Sequence, residues 1–470
     1  MAAGGRLPRG WMWWLVAAAF VAISHSGSAR ADRQSAEQCA KAPPAPIPLV
    51  RENSVLYPGF HALVARITPG ASGFDMLRRS TALKPNCHRH FVPDVPGGDI
   101  WFRFETTYSG QNASSWVLAL EEPQIARMTV HEILPNGTER IKRNGAEVPD
   151  RDRDMRLRRV VVGLAPASDG VTRYLVHIDP GVSPTVTPSL QRYAHYETEE
   201  TAYLVVLCTF IGFLGAIALY NINLFFNLGV SAAPFYVIYT VLIIINTAIF
   251  GGLTIWMTPW TWPRAVLDHA MELTALGAAL SLVHYCRLLL RLGTEWPAAD
   301  RWVKGLNAAL LGAYAIHLID PPATTWPLHL VYIIGIVMLC ALAYRRARQG
   351  NRPARLVSIG FIFLFVGVAT QTILYYQAPT IEEVLGIAWF SKFSVQDGFF
   401  YLGIAGEATF MSVAVLAFFS DGSAPVQTSG QLQLDMDDRN RRFLAALDAA
   451  TDAHMAELDL DVGRLANLLA

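Results

Sequence analysis

A chain of 470 residues is long enough for more than one domain, and 52% of its residues are hydrophobic whereas only 16% are charged. This balance is typical of a membrane protein with a polar appendage and argues against a wholly soluble protein. Basic and acidic residues number 38 each, so the formal net charge is zero and the charges have to be considered region by region.

The first 31 residues have the layout of a secretory signal peptide. Arg6 and Arg9 precede an apolar core, Trp11–Ile23, and the small residues Ala29 and Ala31 form a typical cleavage pattern. An uncleaved anchor helix is the alternative, but the apolar core is short for a full membrane span. We therefore expect the following residues to be exported. Residues 32–53, rich in Ala and Pro, are expected to form an irregular tether.

Residues 54–195 predict an all-β domain. Short runs of β-branched and aromatic residues, such as Ile100–Phe104, Trp116–Leu120 and Arg173–Ile178, are bounded by turn residues. A segment of this length can bury one core. Many short strands at such spacing favour a two-sheet sandwich or a jelly roll.

Two of the five cysteines, Cys39 and Cys87, lie on the exported side, where an oxidising compartment permits a disulfide between them. The sequence provides no distance between the two, so pairing stays open. Cys208, Cys286 and Cys340 lie in apolar segments, where we expect them to pack as small apolar residues.

Seven long apolar segments follow the predicted β-domain, each near the length of roughly 20 residues that a transmembrane helix needs. Buried helices of a soluble core are the alternative for any single segment, but seven in succession favour spans. The fourth is the least apolar, because it contains Lys304, Asn307 and His317. The segments are Ala202–Phe225, Pro234–Leu253, Ala265–Leu288, Trp302–Leu318, Trp326–Tyr344, Ala354–Tyr375 and Gly398–Phe419.

The charges beside these segments predict an orientation. Nine basic residues lie in or beside the loops after the third and fifth segments, whereas the opposite loops contain only Arg264 and Lys392. By the positive-inside rule the basic loops are cytoplasmic, which leaves the β-domain outside and the carboxyl-terminal tail inside. Five tryptophans predict an aromatic belt at the outer interface: Trp256, Trp260, Trp262, Trp326 and Trp389.

Several of these stretches resemble a known family. The strand Asp99–Phe104 and the turn Asn144–Pro149, with arginines just after it, are similar to the second type of extracellular domain of bacterial seven-transmembrane receptors with diverse intracellular signalling modules, the 7TMR-DISM family. Arg173–Val176 and Leu190–Tyr193 continue this likeness, and Ala218–Phe225 and Gly403–Ser412 resemble the membrane module of the family. The resemblance covers roughly residues 55–420.

This resemblance implies a periplasmic jelly roll, related to carbohydrate-binding modules, that binds a small ligand and signals through seven spans in a bacterial inner membrane. Trp101, Trp116, Arg151 and Arg153 are candidate ligand contacts, with core or surface packing as their alternative role. Ala146 stands where the family often has an acidic residue, which would alter ligand contacts.

Ionisable residues within the apolar segments are candidates for signal relay. Glu407 lies near the middle of the seventh segment, and Asp268 and Glu272 share one face of the third, with His269 beside them. Such groups are costly in hydrocarbon, so each is expected to face the bundle interior and find a partner. A switch between two packings and a satisfied structural hydrogen bond are both open readings.

The tail begins with residues 420–441, expected to be a flexible linker, and ends with residues 442–470, which show helical spacing. Phe443, Leu444 and the stretch Leu460–Ala470 resemble the start of an AraC-type DNA-binding domain. The helix that enters the major groove in that family would follow Ala470, so we expect either a longer gene product or a truncated form. From Asp421 onward nine acidic residues face four arginines, which disfavours DNA binding by this part alone.

The sequence contains no catalytic constellation, so we expect no enzymatic activity, no cofactor and no metal. The predicted fold is a seven-span α-helical bundle preceded by an all-β domain and followed by a short helical tail. The predicted function is a receptor with a transcriptional output, in which DNA is a partner only if the helix-turn-helix is complete. A membrane transporter with an accessory β-domain is the alternative, and the oligomeric state, a homodimer included, stays open.

Overall fold

The computed structural model describes residues 45–49, 55–56, 58, 62–65, 83–86, 90–91, 98–108, 116–181, 186–228, 230–257, 264–319, 321–385 and 393–420. The predicted signal peptide, Cys39 and Cys87, and the linker and AraC-type segment beyond Ser420 lie outside these residues. The chain divides into two compact units, Met1–Val415 and Leu416–Ala470. The features that follow belong to the first unit, except for the last residues of the final helix.

An all-β domain comes first, as the sequence predicts. Along Ile100–Tyr108 the buried positions alternate, because successive side chains of a strand point to opposite faces of the sheet. A single turn of 3-10 helix, Asp150–Asp152, interrupts the strands. The described strands are β1 (Ile47–Leu49), β2 (Val55–Leu56), β3 (Leu63–Ala65), β4 (Lys84–Pro85), β5 (Ile100–Tyr108), β6 (Trp116–Leu120), β7 (Arg127–Ile133), β8 (Glu139–Asn144), β9 (Val161–Leu164), β10 (Val171–Asp179) and β11 (Pro188–Arg192).

The strands form two sheets. The larger has the order β4-β3-β5-β10-β7-β8, and β1 also pairs with β5. The smaller has the order β2-β11-β6-β9. The β1–β5 pairing is parallel, and the other described pairings are antiparallel. In the larger sheet Phe104 lies opposite Tyr174, and Trp101 lies opposite His177.

Buried side chains of both sheets pack into one hydrophobic core. Phe104 and Tyr174 of the larger sheet stack with ring centroids 4.8 Å apart, and Trp116 and Leu118 of the smaller sheet belong to the same cluster. Trp116, a ligand contact predicted from sequence, is only 2% exposed. A ligand would have to displace core residues to reach it, so its indole contributes to stability by burial of apolar area.

Nine α-helices follow among the described residues. Pro297 lies in the first turn of its helix, where its missing N–H group costs no hydrogen bond. Gly350 follows another helix at a φ of 92°, the left-handed conformation that often ends helices. The helices are α1 (Tyr193–Leu228), α2 (Ala233–Phe250), α3 (Leu253–Met257), α4 (Arg264–Leu289), α5 (Leu292–Glu295), α6 (Pro297–His317), α7 (Pro321–Arg348), α8 (Arg352–Leu385) and α9 (Phe393–Ser420).

The seven predicted segments fall in the seven long helices α1, α2, α4, α6, α7, α8 and α9. Five stretches of the described residues are long and apolar enough to cross a membrane: Tyr193–Asn227, Ala233–Phe250, Pro327–Arg348, Arg352–Leu374 and Asp397–Ala417. Helices α4 and α6 have the length of a span, at 26 and 21 residues, but are less apolar than these five. Seven spans therefore remain a prediction, whereas the multi-pass character of the helical region is confirmed.

Glycines allow α8 and α9 to approach each other closely. A Cβ atom added to Gly367 would lie 2.7 Å from the Cα atom of Gly403, and one added to Gly403 would lie 2.7 Å from the Cα atom of Gly367. Such pairs of small residues bring two backbones into direct van der Waals contact, a common way of packing helices in membranes. The pair allows α9 to pack directly against α8.

Candidate functional site

The β-domain and the helices meet at a buried ion-pair cluster, which we call the junction: Arg158, Arg159 and Glu200. Arg158 donates two hydrogen bonds to Glu200, from Nε to Oε1 and from Nη2 to Oε2, the second over 2.9 Å. Arg159 donates a third, from Nε to Oε2 over 3.0 Å. The Arg158 side chain is only 3% exposed and that of Glu200 10%. Removing one partner of an ion pair this deeply buried strongly destabilises the fold, because it leaves an uncompensated charge.

The junction also includes the turn between α2 and α3. Arg158 donates a hydrogen bond from Nη1 to the carbonyl oxygen of Gly251 over 2.6 Å. The next residue, Gly252, has a φ of 74°, and an added Cβ would lie 2.7 Å from Cβ of Pro123 in the β-domain. Beside it, the amide of Gln124 donates to the carbonyl oxygen of Phe250 over 3.3 Å. The β-domain therefore contacts two helices, α1 and α2, through specific polar bonds.

A tyrosine continues the contact from the junction to the last helix. The Arg158 guanidinium lies over the ring of Tyr203 at 4.1 Å from its centroid, one turn of α1 beyond Glu200. The Tyr203 hydroxyl donates to Asp397 at the start of α9 and lies 3.1 Å from the Tyr401 hydroxyl. Asp397 is fully buried. Arg158 and the start of α9 are thus connected through one aromatic ring.

A second buried acidic group lies ten residues further along α9, about 15 Å at 1.5 Å per residue. Both oxygens of Glu407 accept hydrogen bonds from α2, Oε1 from Tyr236 over 3.2 Å and Oε2 from Tyr239 over 3.0 Å. Tyr285 of α4 donates to the carbonyl oxygen of Met411 over 3.1 Å. The expectation that Glu407 faces the interior and has partners holds, and the donors are two tyrosines.

The other predicted relay residues lie on α4. Glu272 is 3% exposed, so it faces the interior as expected. The ring of His269 meets that of His317, on α6, with centroids 5.9 Å apart. The side chain of Asp268 lies outside the described residues, as do those of Trp326 and Trp389. That Asp268 and Glu272 share one face of α4 therefore stays a prediction.

The four predicted ligand contacts lie at three different places in the β-domain. Trp101 is on the outer face of the larger sheet, opposite the main core, where its indole stacks on His177 with ring centroids 3.8 Å apart and packs against the buried Leu175. Trp116 is in the core, as described above. Arg151 and Arg153 belong to the loop that contains the 3-10 turn; the Arg151 side chain is 86% exposed, whereas that of Arg153 is 3% exposed.

Arg153 supports the turn that precedes it. Its Nε donates to the carbonyl oxygen of Val148 over 2.9 Å, and its burial lowers the pKa of the guanidinium. Ala146 in the same turn is fully buried, so the acidic residue that the family often has there would point into the domain at this position. An altered direct ligand contact at Ala146 is therefore not what this structure supports.

Burial also changes the titration of one carboxyl group next to the junction. Glu122 is 8% exposed, and burial raises its pKa to about 7, helped by the neighbouring carboxylate of Glu121. Its Oε2 accepts a hydrogen bond from the backbone N–H of Thr187 over 3.1 Å, which only partly offsets the shift. Among the described residues, no cluster of three or more His, Cys, Asp or Glu side chains could hold a metal ion.

The sequence interpretation missed the junction. Two features of the sequence could have indicated it. Arg158 and Arg159 are adjacent arginines before a strand, and the acidic stretch Glu197–Glu200 lies just before the first apolar segment. It also missed the hydroxyl partners of Glu407, because nothing in the spacing of Tyr236 and Tyr239 relates α2 to a residue 168 positions later.

Comparisons with known proteins agree with two of the sequence-based expectations. Residues 203–417 match the family model described as 7TM diverse intracellular signalling, 7TMR-DISM_7TM. Residues 76–191 match the model described as 7TMR-DISM extracellular 2, 7TMR-DISMED2. No curated protein matches the chain. Both matches end before residue 420, so the AraC-type segment stays a prediction.

Proposed function

We propose that this chain is a transmembrane signalling receptor. Its helical region and its β-domain match two modules of the 7TMR-DISM family, which supports membership of that family. The β-domain binds a small ligand, and the bundle transmits the resulting rearrangement to the tail. The observation that carries the proposal is Arg158, which bonds a residue of α1, the turn after α2 and, through Tyr203, the start of α9.

For the ligand we propose a carbohydrate-like molecule bound on the outer face of the larger sheet. The Trp101 indole stacks on His177 there. On the same face Arg173 forms an ion pair with Glu105 over 2.9 Å. An indole held by a neighbouring ring provides an apolar plane at little cost in side-chain entropy, and nearby charged groups can bond hydroxyls. Of the four candidates from sequence, Trp101 lies on this face, whereas Arg151 is exposed on the separate loop of the 3-10 turn.

The relay follows the helix α9. Asp397 ties its start to α1, and Glu407 ties its middle to α2. A shift of the β-domain that loosens Arg158 from Glu200 frees Tyr203, and the hydrogen bonds of Asp397 then rearrange. Because packed interfaces change between discrete arrangements rather than deform continuously, such a shift can move α9 as one body.

For localisation we propose a bacterial inner membrane, with the β-domain periplasmic and the tail cytoplasmic. The nine basic residues at one side of the bundle support this orientation. Four of them have acidic partners nearby: Arg287 and Lys304 pair with Asp300, and Arg291 and Arg346 pair with Glu295. Acidic residues contribute little to the positive-inside rule, so these ion pairs do not argue against the proposed orientation.

For the output we propose transcriptional regulation through an AraC-type helix-turn-helix, with DNA as the partner of a complete module. The net charge of the residues after Ser420 is minus five, from nine acidic and four basic residues, so we expect these residues alone to bind DNA weakly. A gel-shift assay on the product of the complete gene tests this part, and salt-sensitive binding is the expected result.

The test of ligand binding uses the full chain in lipid nanodiscs on an array of mono- and oligosaccharides. We expect binding that the substitution Trp101→Ala abolishes and Ile141→Ala, at an exposed position of the same sheet, leaves unchanged. Absence of any bound glycan, or binding that survives Trp101→Ala, overturns the proposed ligand class and site.

The test of relay compares hydrogen exchange of residues 397–407 with and without the glycan so identified. We expect a change in the wild type that Glu200→Gln and Glu407→Gln reduce and Arg156→Ala, at an exposed arginine near the junction, does not. Unchanged exchange in the wild type refutes the relay. Uptake of the same glycan into sealed vesicles would instead identify a transporter.

A further inference from the structure

A cavity inside the helical bundle contains a buried carboxylate that lacks a full set of partners. Its volume is about 160 Å³, and residues of α2, α4, α6, α7, α8 and α9 line it. Most of the lining is apolar, as at Ile243, Leu282, Leu339 and Ile404. An apolar protein cavity of about 150 Å³ is large enough to bind benzene, so this one has room for a single ring.

Glu272 makes this cavity more than a packing defect. It lines the cavity, is 3% exposed, and its Oε1 atom has no hydrogen-bond partner. The hydroxyl of Tyr332 donates at 3.5 Å to the backbone carbonyl of Glu272 rather than to the carboxylate. Asn246 donates to the Met271 carbonyl and to Thr274, over 2.7 and 2.9 Å. The nearby donors Tyr332 and Asn246 are therefore committed to other acceptors, whereas His329, which also lines the cavity, interacts electrostatically with Glu272.

The contrast with Glu407 shows what is missing. Glu407 is also buried, but each of its oxygens accepts a hydrogen bond from a tyrosine hydroxyl. A buried acceptor without a donor is costly, and a carboxylate more so than a neutral group. Because Glu272 lines the cavity, its Oε1 atom can accept a hydrogen bond from a molecule bound there.

We propose that this cavity binds a compact ligand that combines one apolar ring with an amine, and that the amine donates to Glu272 Oε1. The ring fills the apolar part of the cavity, and the ammonium group matches the negative charge that a carboxylate carries. The side chain of Ala275, one turn beyond Glu272 on α4, also lines the cavity and limits its width. This site is separate from the glycan surface of the β-domain and does not depend on it.

The probe for this site is 4-fluorobenzylamine, which has one ring and one amine. Fluorine NMR on the full chain in nanodiscs measures its binding, with empty nanodiscs as the reference for partition into lipid. Two matched probes, 4-fluorotoluene and 4-fluorobenzoate, lack the amine or carry the opposite charge. We expect the amine to bind at least ten times more tightly than either.

Three substitutions locate the binding. Glu272→Gln, nearly isosteric, is expected to weaken binding of the amine at least tenfold and to leave 4-fluorotoluene unchanged. Ala275→Phe fills the cavity and is expected to abolish binding of all three probes. Leu273→Phe, at a position of α4 that is 55% exposed and outside the cavity lining, is the control and should bind as the wild type does.

Two results would overturn the proposal. Equal binding of amine and toluene, unaffected by Glu272→Gln, would mean that the carboxylate has no role in recognition. Amine binding that survives Ala275→Phe, or that empty nanodiscs reproduce, would place the molecule outside the cavity. If Ala275→Phe does not fold, the comparison of Glu272→Gln with the wild type decides alone, since that change preserves volume.

Discussion

The asymmetry of the junction leads to a quantitative prediction about three substitutions. Arg158 makes two hydrogen bonds to Glu200 and Arg159 makes one. Arg158→Met removes the two hydrogen bonds from Arg158 to Glu200 but leaves Glu200 bonded to Arg159. Arg159→Met removes the weaker pair, and Glu200→Gln deprives both arginines of a negative partner. The predicted order of destabilisation is therefore Glu200→Gln, then Arg158→Met, then Arg159→Met.

The magnitudes follow from the burial of each group. Removing one partner of a buried ion pair costs about 3–5 kcal/mol. We expect Arg158→Met near the lower limit, about 3 kcal/mol, because Arg159 still compensates Glu200. A single hydrogen bond to a charged group contributes about 1.5–3 kcal/mol, which sets the expectation for Arg159→Met. At roughly 1.4 kcal/mol per tenfold change, Arg158→Met should raise local opening about a hundredfold.

Native-state hydrogen exchange of the full chain in nanodiscs measures this opening in peptides that cover residues 158–164 and 193–203. Arg151→Met is the matched control, because that side chain is 86% exposed and an exposed ion pair contributes little. Equal protection in Glu200→Gln and Arg151→Met, or a larger effect of Arg159→Met than of Arg158→Met, would refute this account of the junction.

Three further predictions concern a turn, a titration and a helix crossing. Gly252→Ala should destabilise the junction more than Gly137→Ala does, because both have positive φ but only the first would place a Cβ within 3 Å of a neighbour; the difference in melting temperature measures the clash. Glu122 has a pKa raised from 4.5 to about 7, so its contribution to stability is complete below pH 4.5 and is lost as the pH rises through 7. The free energy of unfolding of the β-domain should fall by up to about 3 kcal/mol over that interval, and Glu122→Gln should remove this fall, as urea denaturation at the two pH values would show. Gly403→Ala should lower the melting temperature of the chain in nanodiscs, whereas Gly212→Ala, with nothing within 4 Å of the added Cβ, should not.

Local patterns predicted most of the elements in this chain. Short runs of β-branched and aromatic residues identified Ile100–Phe104 as a strand, which the structure extends to Tyr108. Long apolar runs located the seven long helices to within a few residues at most ends. They were less accurate at the end of α8, which continues to Leu385 although the apolar run stops at Tyr375. Polar residues that follow a span can extend its helix beyond the hydrocarbon, so hydropathy alone does not mark where the helix ends.

Candidate ligand residues were harder to predict. Trp101 and Trp116 look alike in sequence, each in a short aromatic strand. The structure places the first on the outer face of one sheet and the second in the core of the domain. In Ile100–Tyr108 the alternation places Trp101 on the same face as Arg103 and Glu105, away from the core. Trp116–Leu120 is apolar throughout, so its pattern does not distinguish the two faces.

For the β-domain and the helical region, the sequence by itself determined their order, their class and the burial of Glu272 and Glu407, because these depend on local hydrophobicity and on period. Only the tertiary structure decided the partners. It joined Arg158 to Glu200, Tyr203 to Asp397 and the two tyrosines of α2 to Glu407, and it left Oε1 of Glu272 at the wall of a cavity. These relations connect residues far apart in the chain, and only packing in three dimensions determines which distant groups come within hydrogen-bond distance.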